Sequence, residues 1–173
     1  MGNVLSDGTV TIKPFQLEKV EEHLLGDDKE QIKWLSGKKS TLEGVRAWIE
    51  KNQKYWENDG PIFNFAVVEK ETGELMGMVE ANFDYKNLDG VDEGGANISY
   101  ALYPKARGKG YAARSVNLLL SFLKDKRLRQ AVIRVEPENI NSVKLAVRSG
   151  FKKQGEIITK DNKKLIKYTK DLN

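Results

Sequence analysis

The residues best suited to chemistry sit together in Tyr103-Pro104-Lys105-Ala106-Arg107-Gly108-Lys109-Gly110-Tyr111-Ala112. An alternating apolar segment precedes this stretch and a helical one follows it. Helix N-termini present unpaired N–H groups and a partial positive charge, and so attract anions. Glycines let a backbone approach the anion and adopt unusual dihedrals. The stretch can therefore cradle a phosphate or pyrophosphate. Basic residues also thicken here, at Lys105, Arg107, Lys109 and Arg114, which suits a small phosphorylated ligand or a solvated helix edge. Two nucleotide motifs fit poorly. A P-loop needs four residues between its first Gly and Gly-Lys-Ser/Thr, but here the lysine lies between the glycines. A dinucleotide fingerprint needs a third glycine and a place near the first strand, but Ala113 takes that position late in the chain. From Gly108 and Gly110 alone, a tight structural connection reads equally well.

Composition removes several other chemistries. The chain has 173 residues, 39% hydrophobic and 31% charged, which suits one soluble domain over residues 1–173. It has no cysteine, so disulfides, thiolate metal sites and a cysteine nucleophile are out, and a reducing compartment fits. With His23 the only histidine, a His-rich metal site is out too, and no metal is expected. The net charge of +4 is modest and scattered, unlike a nucleic-acid binder. No apolar run reaches the ~18 residues of a membrane span, and Met1 to Ser6 carries no secretory pattern. A cytoplasmic protein is expected. Gly2 and Ser6 match the short N-myristoylation pattern, a weak signal.

The elements that must position the glycine loop follow from periodicity. Thr9 to Phe15 alternates as a first strand, and Leu17 to Leu25 and Lys29 to Leu35 form short helices. Ser40-Thr41-Leu42-Glu43 reads as a capping box with Ser40 at the cap. The helix it starts carries Leu42, Val45, Trp48, Ile49, Tyr55 and Trp56 at helical spacing. Ile62 to Glu69 and Leu75 to Phe83 form a hairpin around Glu71-Thr72-Gly73-Glu74, and Asp84 to Gly95 is a loop. Asn97 to Tyr103 is the strand before the glycine loop. The helix after the loop has a buried stripe of Ala112, Val116, Leu119, Leu120 and Leu123. Ala131 to Val135 is a short strand and Asn141 to Ser149 a short helix ended by Gly150. A last hairpin, Phe151 to Thr159 and Lys164 to Thr169, turns at Asp161-Asn162. One strand-helix-strand passage requires a parallel pair with a right-handed crossover. The fold class is α/β (α+β): one mixed, mostly antiparallel sheet flanked by helices.

Asn97 to Pro104, followed by Arg107 to Ala112, resembles the GNAT N-acetyltransferase superfamily. Its signature, Gln/Arg-x-x-Gly-x-Gly/Ala, is met by Arg107, Gly110 and Ala112. Downstream, Glu138-Asn139-Ile140-Asn141-Ser142 and then Gly150-Phe151 resemble the same family's Asn-x-x-Ser and Gly-Phe segment. The style is closest to the ribosomal-protein N-terminal acetyltransferases. The resemblance implies a splayed sheet of six to seven strands and an acetyl-CoA-binding core over about 96–155. It implies acetyl-CoA as co-substrate, held by backbone near Leu102 and Tyr103, by the N–H groups of Gly108, Lys109, Gly110, Tyr111 and Ala112, by charge from Arg107 and Lys109, and by Asn139. It implies direct attack by an amine, with a small molecule or a protein N-terminus as acceptor. Dimerisation, common in that branch, comes with it as an open expectation.

A base must take a proton from the amine. Glu80, a charged residue inside an otherwise apolar strand, is the first candidate, since such burial is costly without a purpose. Glu80 and Asn82 share a face by period two, although that face could simply be wet. Asp84 is a weaker candidate. Many members use a tyrosine four residues before the Gly of Gly-Phe as acid; here that residue is Ala146. Ser142 matches the serine proposed as acid in the ribosomal-protein branch, and it equally suits helix capping or cofactor contact. Tyr100 and Tyr103 are further possible donors. His23 reads as packing or surface, and Glu136 and Glu138 as solvated. Of Trp34, Trp48, Tyr55 and Trp56, most are expected in the core, with one or two near the acceptor. The variable acceptor loops are 26–40 and 84–95; the acidic Asp84, Asp89, Asp92 and Glu93 weakly suggest a cationic acceptor. Two readings compete with the enzyme: an acyl-CoA-binding regulatory domain without turnover, and a nucleotide-binding fold with another ligand.

Overall fold

The alternating segments assemble into one eight-stranded sheet in a computed structural model that describes residues 4–173; Gly2, with its N-terminal pattern, lies outside the described residues. The strands are β1 (Leu5–Ser6), β2 (Val10–Pro14), β3 (Ile62–Glu69), β4 (Leu75–Asn82), β5 (Gly95–Leu102), β6 (Gln130–Val135), β7 (Lys152–Ile158) and β8 (Lys164–Asp171). Their order in the sheet is β1-β2-β3-β4-β5-β6-β8-β7, one strand more than the upper expectation. The extra strand is β1, two residues long and too short to leave a periodic signal. Five helices flank the sheet: α1 (Val20–Leu25), α2 (Lys29–Gln31), which runs into a π-helical turn at Ile32–Ser36, α3 (Leu42–Glu57), α4 (Tyr111–Asp125) and α5 (Ile140–Arg148). No described helix is long and apolar enough to cross a membrane.

Each face of the sheet has its own apolar cluster. On one face α4 buries Val116, Leu119 and Leu123 completely against Val79, Ala81 and Ile98. Burying each such side chain contributes about 1.5–3 kcal/mol. On the other face α1 and α3 bring Val20, Val45 and Ile49 against Ala66, Val68 and Tyr103. β3 is therefore apolar on both faces and buried from Phe63 to Val68. The start of α3 falls one residue later than the capping box places it. Thr41, not Ser40, caps the helix: its backbone is extended and its Oγ1 accepts the Gly44 N–H at 3.1 Å. The Ser40 N–H instead goes to Asp27 Oδ2.

All neighbouring strands run antiparallel except β5 and β6. That parallel pair holds only at Gly95, Ala96 and Asn97 against Gln130, Ala131 and Val132. Beyond it, β5 stays with β4 as far as Leu102, while β6 stays with β8 as far as Val135. The two strands are each pulled toward an antiparallel partner, and a wedge opens between them.

Candidate active site

The wedge is the mouth of a cavity of 660 Å³ whose walls include β5 from Ile98 to Leu102, β6 from Ile133 to Val135, and the starts of α4 and α5. The glycine loop forms one end. Gly108 and Gly110 have φ of +75° and +78°, a left-handed conformation that favours glycine, and an added Cβ would meet nothing within 4 Å at either. Gly110 caps α4 without a side chain. The first helical bond runs from the Arg114 N–H to the Gly110 carbonyl at 3.2 Å. The N–H groups of Tyr111, Ala112 and Ala113 thus have no carbonyl a turn behind them. Gly108, Gly110, Ala112 and Ala113 all line the cavity. The cradle is open, preformed and positive, which fits a pyrophosphate.

The neighbours of that cradle divide. Lys109 is exposed and outside the lining. The Tyr111 ring turns away to hydrogen-bond Glu69 through its hydroxyl. Arg107 lines the cavity, but its guanidinium makes a bidentate pair with Asp28 at 2.6 and 2.8 Å, and its Nε donates to the Leu102 carbonyl at 3.0 Å. This pair holds the Asp28 carboxyl below the usual range. Arg107 therefore braces the end of β5 against α2 rather than offering a free charge.

The exposed edge of β5 presents alternate peptide groups to the wedge. Tyr103 donates its N–H to the Met76 carbonyl and accepts the Ala106 N–H. Its side chain is buried with α1 and α3, where its hydroxyl meets His23 Nδ1 and His23 stacks on Trp48 at 5.0 Å. Tyr103 departs from the expectation: strand alternation points its peptide at β4, and it does not line the cavity. The Leu102 carbonyl points the opposite way, to Arg107, so the N–H groups of Leu102 and Tyr100 face the wedge. His23 is structural packing.

The α5 wall carries the second motif. Asn139 caps α5, its Oδ1 accepting the Ser142 N–H at 3.2 Å, and it lines the cavity. The Ser142 hydroxyl lies 2.6 Å from the Tyr100 hydroxyl, which also donates to the Ser142 carbonyl at 3.2 Å. Tyr100 therefore spans the wedge from β5 to α5. Burial pushes its hydroxyl above the ordinary tyrosine value. Ala146, one turn beyond Ser142, is completely buried in the core.

Glu80 stands on the α1 and α3 face, one strand away from the wedge. Its Oε2 accepts Asn64 Nδ2 at 2.7 Å, and its Oε1 lies 3.4 Å from the Ser99 hydroxyl. Asn64 also donates to Asn52 Oδ1 of α3 at 3.1 Å. Burial pushes the Glu80 carboxyl up, against the two hydrogen bonds that favour its charge. Glu80 does not itself line the cavity; Ser99 does, and connects it. The face is thus not simply wet. Asp84 caps its own loop by accepting Asn87 Nδ2.

The two acceptor loops part company. From the first, Glu30, Gln31, Trp34 and Leu35 line the cavity. The buried Gln31 has an Oε1 with no hydrogen-bond partner. Trp48 and Trp56 are core instead. From the second loop no acidic side chain lines the cavity: Asp89 accepts the Lys160 N–H, and Asp92 pairs with Lys167 at 3.6 Å. The acidic loop thus puts no carboxylate on the cavity wall, and Asp89 and Asp92 instead tie it to the last hairpin. Glu136, expected in solvent, does line the cavity. Sequence reasoning missed Asn64, Ser99, Gln31 and Arg134. Asn64 and Arg134 carried the signal that marked Glu80, a polar residue in an apolar strand.

The acetyltransferase (GNAT) domain family matches residues 9–152, which contain the cradle, the wedge and both hydrogen-bonded groups. The chain belongs to the GNAT acetyltransferase family. A curated relative, the "uncharacterized N-acetyltransferase p20" of Bacillus licheniformis, is 33% identical over 99 residues, 56% of this chain and 52% of the relative. The chain thus aligns with about half the length of that relative. Among solved structures, a GNAT-family acetyltransferase from Bacillus anthracis matches with a TM-score of 0.82 at 19% identity, covering 98% of this chain and 99% of that one. The ribosomal-protein-S5-alanine acetyltransferase of Vibrio fischeri matches with a TM-score of 0.80 at 18% identity, covering 99% and 97%. The microcin C7 self-immunity acetyltransferase MccE, solved with acetyl-CoA and AMP, matches with a TM-score of 0.79 at 20% identity, covering 96% and 93%. At these identities the likeness is one of fold.

Proposed function

We propose that the chain is an acetyl-CoA-dependent N-acetyltransferase that moves the acetyl group to a primary amine by direct attack. The observation that carries this reading is the wedge between β5 and β6, closed at one end by an anion cradle and flanked by a carboxylate on one face and a hydroxyl pair on the other. A thioester entering along β5 would place its pyrophosphate on the N–H groups of Tyr111, Ala112 and Ala113. Its pantetheine would lie along the free edge of β5, with Asn139 on the opposite wall. That a GNAT-fold structure has been solved with acetyl-CoA supports this use of the fold.

The proton traffic then follows from the side chains. The incoming ammonium must lose a proton before its nitrogen can attack the thioester carbon. Glu80 takes that proton through Ser99, which lines the cavity, and its raised affinity for protons suits a base working near neutral pH. A β5 N–H facing the wedge, that of Tyr100 or Leu102, polarises the thioester carbonyl. As the new C–N bond forms and the C–S bond breaks, the sulfur leaves with the bonding electrons. The paired hydroxyls of Ser142 and Tyr100 supply its proton and are made good by the second proton that the nitrogen sheds as the tetrahedral adduct collapses to the amide, Tyr100 entering from β5 where other members use a residue at the position of Ala146. The acceptor is a small-molecule amine or a protein N-terminus.

The test is amine-dependent release of thiol from acetyl-CoA across a panel of small amines and short peptides. Turnover with any of them is the expected result. A second reading, an acyl-CoA-binding regulatory domain, is favoured by one observation, the buried Ala146 in place of the tyrosine. Tight acetyl-CoA binding with no turnover of any amine would select it.

A further inference from the structure

Arg134 is the one charged residue in β6, between the buried Ile133 and Val135. Those neighbours face α4, so Arg134 projects to the opposite face, the one that carries Glu80 and Ser99. It lines the cavity. Its Nε donates to Asn97 Oδ1 at 2.9 Å and its Nη1 to the Asp89 carbonyl at 3.0 Å. Both partners are neutral, and among the described residues no carboxylate forms an ion pair with it. Desolvation by burial destabilises its charge, offset only in part by Asp89, whose carboxylate accepts the Lys160 N–H. A guanidinium has five N–H donors, and two are accounted for here. A half-buried charge without an ion-pair partner favours an anion that can neutralise it.

Its position relative to Glu80 is informative. Asn97, which holds Arg134, and Ser99, which meets Glu80, are two residues apart on the same face of β5, a separation of roughly 7 Å. The acceptor side therefore carries a carboxylate and a guanidinium flanking one short stretch of strand. Resting on the acetyltransferase reading, we infer that the acceptor is a small primary amine that also bears an anionic group, a carboxylate or phosphate, with its amine at Glu80 and Ser99 and its anion on Arg134. A peptide N-terminus carries an uncharged carbonyl at the corresponding place and leaves Arg134 without a counter-ion.

The experiment compares matched amines: α-amino acids, aminoalkyl phosphates, and the corresponding amino-acid amides and decarboxylated amines. Binding to the protein with coenzyme A present is read by calorimetry, and turnover by thiol release from acetyl-CoA. The expected result is at least tenfold tighter binding and higher kcat/KM for one anionic set over its neutral counterparts. Arg134→Gln removes that preference through KM, leaves acetyl-CoA affinity unchanged, and leaves the neutral amines as they were; Arg134→Lys retains part of it. The carboxylate and phosphate arms tell which anion is meant. Equal or better use of the amides and neutral amines by the unaltered protein overturns the inference while leaving the acetyltransferase reading intact. Selective binding of the anionic amines without turnover sustains the inference and sinks that reading instead. Preference undiminished in Arg134→Gln assigns the anion to another residue and overturns the role of Arg134.

Discussion

At the scale of single residues, the account rests on two hydrogen-bonded groups that flank the wedge. Glu80 is held by Asn64 at 2.7 Å and approaches Ser99 at 3.4 Å. Glu80→Gln keeps the shape and removes the proposed base, so kcat is expected to fall by about 10²-fold or more with acetyl-CoA affinity unchanged in a binding titration. The pH profile should show the same group. Because burial raises the Glu80 pKa, the activity of the unaltered enzyme should fall as pH drops through a value above that of an ordinary carboxyl, and Glu80→Gln should lack that limb. The sign for stability is opposite. A carboxyl that holds its proton more firmly when folded favours the fold while protonated, and that contribution is lost as pH rises through the folded pKa. The Tm of Glu80→Gln relative to the unaltered protein should therefore rise from acid to neutral pH. On the other wall, Tyr100 and Ser142 share one hydrogen bond of 2.6 Å. Tyr100→Phe and Ser142→Ala should each slow turnover, and the double variant should cost less than the product of the two, since coupled groups are not additive. Independent effects would separate the hydroxyls. Glu80 and Ser142 were visible in the sequence because one broke an apolar pattern and the other matched a motif. Ser99 was not, since a serine on an alternating strand is ordinary until Glu80 is seen across the pairing.

At the scale of elements, the start of α4 and the end of β5 matter most. Gly110 has φ +78° with open space where a Cβ would go. Gly110→Ala is expected to cost about 1 kcal/mol of stability and to weaken acetyl-CoA binding, because the new methyl group would enter the cradle. A calorimetric titration beside a thermal melt reads both; unchanged affinity would detach the cradle from the ligand. Asp28 caps α2 through the Gln31 N–H at 3.0 Å and pairs with Arg107. Asp28→Ala should loosen the Leu102 end of β5 and raise the KM for acetyl-CoA. The helices and strands themselves were largely legible, because α4 and β2 have clean periods. One boundary and one role were not. The cap of α3 shifted by one residue because Ser40 and Thr41 are both competent hydroxyls, and only the backbone path decides between them. The role of Arg107 shifted because a sequence shows its charge and not Asp28, 79 residues away, that neutralises it.

At the scale of the whole molecule, the candidate site is a defect in an otherwise continuous sheet. Three residue pairs hold β5 to β6 before antiparallel partners draw them apart. The exposed strand edge is usually a liability that proteins cover; here it is left free and lined with chemistry. The strand-helix-strand passage made the parallel pair readable from sequence, while the extent of the splay depends on β8 pairing with β6, which no local pattern reveals. The same long-range geometry puts Arg134 and Glu80 on one face. The most direct test of the account is a crystal structure of the protein with coenzyme A. The expected result is a pyrophosphate on the N–H groups of Tyr111 to Ala113, pantetheine amides against the free edge of β5, and the sulfur beside Ser142 and Tyr100. Coenzyme A bound elsewhere, or a wedge closed by paired strands, would contradict it.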